Sequence, residues 1–354
     1  MGKWIRHALI GTVLVAALVV AGCGSSGGSS SSDSGGSSSE AGGNSIKPAT
    51  IALVDLQASS PVDLACDEAV KAAAKELGWT VNYTDAGGEP EKASAAIAAA
   101  VTSGVDGIIT TSGEASYFRQ PLTQAQSKGI PAINIGGGSA DPLYTAAYVE
   151  ELKPIATGLD EYLLEQNPKA QIGAIEASIT KNGAGRLEDL EEQVAAHPGA
   201  KIVDSEEPNI AQPSSYEKTV TDMLTAHPEI DTIWSVFDNF TQPSAQAIEA
   251  KHSDAKLYSF YVSPPNLELL EKESPLEAVA DNKLPVTGVM AVDQLLHNFQ
   301  EGREIEADYL EKHPLKVKIF TRENLAQAKT DWSAESLLAP FLAEWEKQYT
   351  GLAG

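Results

Sequence analysis

Short apolar runs, each followed by residues with helical spacing, recur along this chain and constrain its fold more than any other feature. Ile51-Ala-Leu-Val54 is such a run, read as a buried strand. Ser60-Pro61 then sets a capping residue before a proline suited to the first helical position. Val62, Ala65, Ala69, Val70, Ala73 and Leu77 mark the inner face of that helix, and Gly78 ends it. The alternation predicts further strands at 79–84, 105–110 and 130–135, with helices at 89–103 and 116–128 between them. A second set has strands at 171–175, 201–204, 232–236 and 256–261, and helices at 185–196, 214–226, 242–251 and 266–272. A strand at 276–280, a helix at 286–300 and a strand at 315–320 follow. After Thr321 the pattern is a peripheral helix, with Trp332, Leu337, Leu338, Phe341 and Trp345 on its apolar face.

Apolar strands separated by helices imply parallel sheets covered on both faces. Two sets of four strands therefore predict an α/β fold of two Rossmann-like lobes, parallel sheets flanked by helices and joined by a hinge. The lobes are expected at 47–150 plus 283–312 and at 151–282 plus 313–325, with a helical extension at 326–354. Ligands of open parallel sheets sit beyond the carboxyl ends of the strands. Two such lobes facing each other make a cleft for a small molecule, closed by hinge motion.

Composition removes several function classes. Acidic residues number 49 against 25 basic, a formal charge of −24, which argues against a nucleic-acid partner. Two cysteines give no disulfide framework and no all-cysteine zinc site. No H-x-x-x-H pair, P-loop or G-x-S-x-G elbow occurs. His197, His227, His252 and His313 lie at predicted helix ends or before prolines, and Cys66 reads as a buried, inert thiol beside Asp67 and Glu68. The chain is expected to be no enzyme and to use no cofactor or metal.

The first residues read as an address. Lys3, Arg6 and His7 precede an apolar stretch from Leu9 to Val20, interrupted only by Gly11 and Thr12. That is a positive segment followed by a short apolar one, below the roughly 20 residues of a comfortable membrane span. It ends Val20-Ala21-Gly22-Cys23, which resembles a bacterial lipobox, with cleavage after residue 22 and lipid on the Cys23 thiol. Residues 23–46 are almost all Ser and Gly, a flexible tether with a reach of roughly 25 Å. Loss of Lys3 and Arg6 with the signal leaves 23 basic and 49 acidic residues, a charge of −26, which holds the body off an anionic lipid surface. The expectation is an extracytoplasmic monomer, attached to the bacterial membrane by lipid alone.

Several segments resemble one family. Ile51-Ala-Leu-Val54 with Ser60-Pro61, Glu76-Leu-Gly-Trp79, Gly104-Val-Asp-Gly-Ile-Ile109 and Lys128-Gly-Ile-Pro-Ala-Ile133 are similar, in order and spacing, to the ribose-type (type I) periplasmic sugar-binding proteins. Leu224-Thr-Ala-His-Pro-Glu-Ile230 and Lys318-Ile-Phe-Thr-Arg-Glu-Asn324 extend the likeness across residues 50–324. The resemblance implies a two-lobed clamshell that hands a small molecule, by default a sugar or sugar derivative, to an ABC permease. A receptor of the same fold, signalling through a membrane partner, is the alternative. Some sugar-clamping positions depart from the family. Gly136-Gly137 stands where it often has Asp-Arg, Ser59-Ser60-Pro61-Val62-Asp63 lacks aromatics, and Tyr261 replaces an Asp. A modified sugar, a cyclitol or a non-sugar solute stays open.

In this architecture Asp55 and Gln57 follow the first strand, as ligand contacts or as solvated loop groups. Ser112 and Glu114 end the third strand and face the cleft. Ser60 and Asp63 are read as caps of the first helix, with ligand contact as the alternative, and Gly136 to Gly138 as a permissive loop, with backbone N–H groups open to an anion as the alternative. Arg186 lies where the family commonly places a ligand-binding arginine; its alternative is a surface ion pair with Glu188 or Asp189. Asp238 and Asn239 match the family's polar pair with the order changed. Phe237 and Tyr261 offer stacking faces or core packing. Asn282, shortly before Pro285, resembles a polar hinge contact.

Overall fold

The computed structural model describes residues 44–353 apart from Ser139, Ile179, Ile210, Ala211 and Trp332. The expected signal peptide at 1–22, the lipidation site Cys23, most of the tether and Trp332 lie outside the described residues.

The chain runs β1 (Asn44–Ser45), β2 (Thr50–Asp55), α1 (Pro61–Glu76), β3 (Thr80–Asp85), α2 (Pro90–Ser103), β4 (Gly107–Thr111), α3 (Ala115–Ser127), β5 (Ala132–Gly136) and β6 (Ala146–Val149). It continues through α4 (Leu152–Gln166), β7 (Gln171–Ile175), α5 (Lys181–Ala196), β8 (Lys201–Glu206), α6 (Tyr216–Ala226), β9 (Thr232–Ser235), α7 (Thr241–Ala250), β10 (Lys256–Phe260), α8 (Pro264–Glu271) and β11 (Leu276–Asp281). It closes with α9 (Val286–Glu301), α10 (Tyr309–Lys312), β12 (Lys318–Phe320), α11 (Leu325–Asp331), α12 (Ala334–Gln348) and β13 (Tyr349–Thr350).

Two sheets result. The first has the order β3-β2-β4-β5-β6 and is parallel throughout; the second has the order β12-β11-β10-β9-β7-β8. Central strands such as β2 and β4 are buried along almost their whole length because helices cover both faces, whereas β3 at the edge is mostly exposed. Helices α1 and α9 pack together against the first sheet, and α4 packs against α5 and β11 of the second. The chain therefore passes between sheets three times: after β6, after β11 and before β12. This is the predicted α/β class, two parallel-sheet lobes joined by a hinge.

Several elements differ from expectation. The first sheet has a fifth strand, β6, and helix α4 follows it; neither was predicted. Pro154 and Gly158 break the apolar spacing of α4. Pro154 nevertheless sits in the first turn, where no backbone donor is needed. A Cβ at Gly158 would lie 3.1 Å from Val317. Helix α5 begins at Lys181, earlier than predicted, because the Thr180 hydroxyl caps it by accepting from the Gly183 amide at 2.9 Å. The predicted strand at 315–320 shrinks to Lys318–Phe320 and pairs antiparallel with β11.

The peripheral helix expected after Thr321 is two helices that strap the lobes together. Helix α11 lies on α8 of the second lobe, while α12 lies on α1 and α9 of the first. Trp345 is fully buried there, and its indole N–H donates to Asp293 at 2.8 Å. Strand β13 then pairs with β1. Among the described residues no helix is long and apolar enough to cross a membrane.

Gly288 sets the closeness of α1 and α9: a Cβ there would lie 2.6 Å from the Cys66 backbone carbonyl. Gly288→Ala is expected to lower stability by about 1–3 kcal/mol, read by urea denaturation. Unchanged stability would contradict this helix approach.

Candidate functional site

The strand order locates the site. In the first sheet the chain reverses direction between β2 and β4, and in the second between β7 and β9. Crevices open at the carboxyl ends of strands flanking such a reversal. The residues there are Asp55 and Ser112 in the first lobe and Phe237 to Asn239 in the second.

Asp55 ends β2 and is fully buried; one of its carboxylate oxygens accepts from the Gln57 amide at 2.8 Å. The Gln57 side chain donates to the Ser59 hydroxyl at 3.1 Å, bracing its own loop. The predicted caps of α1 do not form. Ser60 holds the N-cap position, but its hydroxyl makes no capping bond. Asp63 instead accepts from the Ser112 hydroxyl at 2.7 Å. Ser112 has φ +55° and also accepts from the Gly137 amide at 3.2 Å, so it ties the end of β4 to α1 and to the glycine loop after β5. A side chain at Gly137 would meet Ser112 at 2.9 Å and the Asn182 amide group at 3.2 Å. The second position of the Asp-Arg pair is thus crowded by Ser112 and Asn182.

Asp67, one turn along α1 from Asp63, accepts from the Thr111 hydroxyl at 2.6 Å. The three carboxyls Asp55, Asp63 and Asp67 all lie above the ordinary carboxylate range. Burial is the main cause for each, and for Asp55 the charges of Asp63 and Asp67 add to it. Burial and the neighbouring acids thus favour the protonated form of Asp55. The Cys66 thiol, fully buried among them, is pushed up by burial and then by these carboxylates. Glu68 contributes nothing there, because it pairs outward with Lys71 at 2.8 Å.

Across the cleft, Asp238 opens a short turn after β9 and is 1% exposed. Neither of its oxygens completes a hydrogen bond. The nearest donors are the Ser263 hydroxyl and the backbone N–H groups of Val62 and Asn239. Val62 belongs to the first turn of α1, so a carboxylate of the second lobe lies against a helix start of the first. Burial outweighs these donors and Arg186, and lifts Asp238 from 3.8 to about 7. Asn239 is half-buried beside it, its side-chain oxygen unpartnered. Phe237 is half-buried, its ring centre 5.3 Å from the Arg186 guanidinium. At the rim, Glu114 of the first lobe and Lys181 of the second approach to 3.8 Å.

Arg186 is neither on the surface nor paired with Glu188 or Asp189. It is fully buried, 2.6 Å from Glu150, and donates to the Val236 carbonyl at 2.6 Å. It also donates to the Tyr261 hydroxyl, which in turn donates to Glu150. Asn282 donates to the other Glu150 oxygen at 3.2 Å. Arg186, Tyr261 and Asn282 therefore gather on one carboxylate at the first crossover, and the Tyr261 hydroxyl is committed to that network. Sequence reasoning passed over Glu150, and also Asp67, Ser263 and Asn182. A lone Glu after an unrecognised strand carries no local signal, whereas Asp63 and Asp67, three and seven residues after Ser60, had one in their shared helix face.

Residues 56–304 match the family model for the periplasmic binding protein domain. The chain belongs to this family. Such proteins bind solutes outside the cytoplasm and are not enzymes. Among solved structures, a galactofuranose binding protein superposes with a TM-score of 0.71 at 17% identity, covering 79% of this chain and 97% of its own. The Caulobacter myo-inositol binding protein gives 0.70 at 16%, covering 78% and 95%. A 5-methylthioribose transporter solute binding protein from Thermotoga lettingae gives 0.71 at 17%, covering 83% and 93%. At such identities the likeness is one of fold. No curated protein matches the sequence.

Two predictions follow from the charges of this periplasmic binding protein. Between its ordinary value of 3.8 and about 7, folded Asp238 keeps a proton that the unfolded chain has released. Its contribution to stability is therefore present at acid pH and lost as pH rises through 7. Asp238→Asn should stabilise the solute-free protein at pH 8 and flatten the decline across that window, by at most about 1.4 kcal/mol per pH unit. Urea denaturation from pH 4 to 8 checks this, and an unchanged slope would refute it. Arg186→Met strands the Glu150 charge and should cost about 3–5 kcal/mol. Adding Glu150→Gln should recover part of the loss, read as a double-mutant cycle.

Proposed function

We propose that this chain is a lipid-anchored extracytoplasmic solute-binding protein that closes its lobes on a small molecule and delivers it to an ABC importer. The observation that carries the reading is the meeting of buried acceptors from both lobes: Asp63 at the start of α1, with Asp238 and Asn239 opposite. Asp238 and Asn239 still hold unpartnered oxygens, and a buried acceptor without a donor is costly. A polyhydroxylated solute would supply the missing donors. Galactofuranose, myo-inositol and 5-methylthioribose, named with the fold neighbours, are of that kind, so a sugar or sugar derivative is the proposed solute class.

In this reading Asp63, Ser112 and Glu114 touch the solute from the first lobe and Phe237, Asp238 and Asn239 from the second. Asp55 and Gln57 shape the first loop, and Arg186, Tyr261 and Asn282 hold the crossover. The lobes divide near 150, 282 and 312, and the monomer hangs by the Cys23 lipid from the tether at 23–46.

A thermal-shift screen against sugars and cyclitols tests the proposal. A solute at about 1,000 times its Kd stabilises by roughly 4 kcal/mol, a midpoint rise on the order of 10 °C. The hit should vanish in Asp238→Ala and Asn239→Ala, and a hit indifferent to both would place the solute elsewhere. Radiolabelled palmitate should enter the wild-type chain in bacteria and not Cys23→Ala.

A further inference from the structure

We infer that the solute carries a protonated amine, seated between Asp63 of the first lobe and Asp238 of the second. The inference rests on the cleft being the solute site and goes on to the solute's charge.

The cleft brings six carboxylates together: Asp55, Asp63, Asp67 and Glu114 from the first lobe, Glu150 at the crossover and Asp238 from the second. Its two cationic side chains are already engaged. Arg186 uses its two terminal nitrogens on Glu150, Tyr261 and the Val236 carbonyl and leaves its Nε without a partner. Lys181 lies at the rim, opposite Glu114. Asp55 and Asp67 are raised mainly by burial, and Asp67 accepts from the Thr111 hydroxyl. Among the described residues no ion pair reaches Asp63 or Asp238, and the two face each other closely enough for their charges to repel.

Asp238 is the second, independent observation. It is 1% exposed and neither oxygen has a hydrogen-bond partner. The Asn239 side-chain oxygen beside it is also unpartnered. A neutral polyol would donate hydrogen bonds to these oxygens but leave the two acids opposed in a closed, water-poor cleft, where ionising both is disfavoured. An ammonium group supplies up to three donors and a charge that cancels the repulsion. The glycines at 136 and 137 add no side-chain cation to compete for that position. Nor do the described residues contain a group of three His, Cys, Asp or Glu arranged to hold a metal ion, which favours an organic cation. The half-buried Phe237 ring offers an apolar face to the solute's carbon skeleton.

Calorimetric titration of the full mature chain with matched solutes tests the charge directly. The probes are D-glucosamine against D-glucose and N-acetyl-D-glucosamine, D-galactosamine against D-galactose, and spermidine and putrescine as amines without a ring. At least one amine should bind about tenfold or more tighter than its neutral counterpart or, for spermidine and putrescine, than any neutral sugar tested. Asp63→Asn and Asp238→Asn keep the shape and remove the charge; each should weaken that amine about thirtyfold or more, with folding verified by circular dichroism. A neutral sugar binding as tightly as its amine overturns the inference, as does a panel in which no amine binds. Neutral-sugar binding that is lost in Asp238→Asn would overturn the amine while leaving the cleft as the solute site. Binding unaffected by either variant would remove the cleft reading itself.

Discussion

Burying a carboxylate without partners is costly, and Glu150 finds partners in three distant segments of the chain. Arg186 comes from the start of α5, Tyr261 from the residue after β10, and Asn282 from the second crossover. Removing two charges from water costs several kcal/mol per ion, which their attraction barely returns. The network therefore adds little net stability, but it tolerates few geometries. A shift of the first crossover relative to the second lobe would strand a charge. The register between the lobes, and hence the distance between Asp63 and Asp238, follows from this pairing. The network also shapes the site by what it consumes: with Arg186 bound to Glu150, the cleft keeps its acids and loses its strongest donor.

Much of the architecture was legible because burial on both faces forces long apolar runs into parallel strands. β2, β4, β7 and β10 were readable for that reason, and Pro61 marked the start of α1. Strand β6 and helix α4 were not. Ala146–Val149 has only four residues, alternately buried and half-buried, and Pro154 and Gly158 disturb the helical spacing that follows. The C-terminal strap read as one helix because its apolar residues continue from α11 into α12. Within the site, Asp238 and Asn239 were visible because they follow a clear strand. Arg186 was visible as a residue but not as a partner of Glu150, 36 positions away, since pairing across a crossover leaves no periodic trace. Ser60 and Asp63 had the right spacing for capping, yet Ser112 offered Asp63 a closer buried donor.

That last competition bears on how the lobes close. With Ser60 not capping and Pro61 lacking an N–H, the first turn of α1 presents the Val62 amide to the cleft. A helix start carries partial positive charge and attracts anions. Asp238, from the other lobe, is the anion that approaches it. This attraction favours closure, and it is opposed by the burial of Asp238 and by repulsion from Asp63. Burial is what raises the pKa of Asp238, against the donors around it and Arg186. The two tendencies leave a carboxylate that is buried and incompletely partnered, so closure alone carries little net gain. A solute that brings donors to Asp238 and separates it from Asp63 removes the opposing terms while leaving the helix attraction in place. Closure then becomes favourable because of the solute, which is the differential interaction that a two-state clamshell needs for its ligand to shift the population.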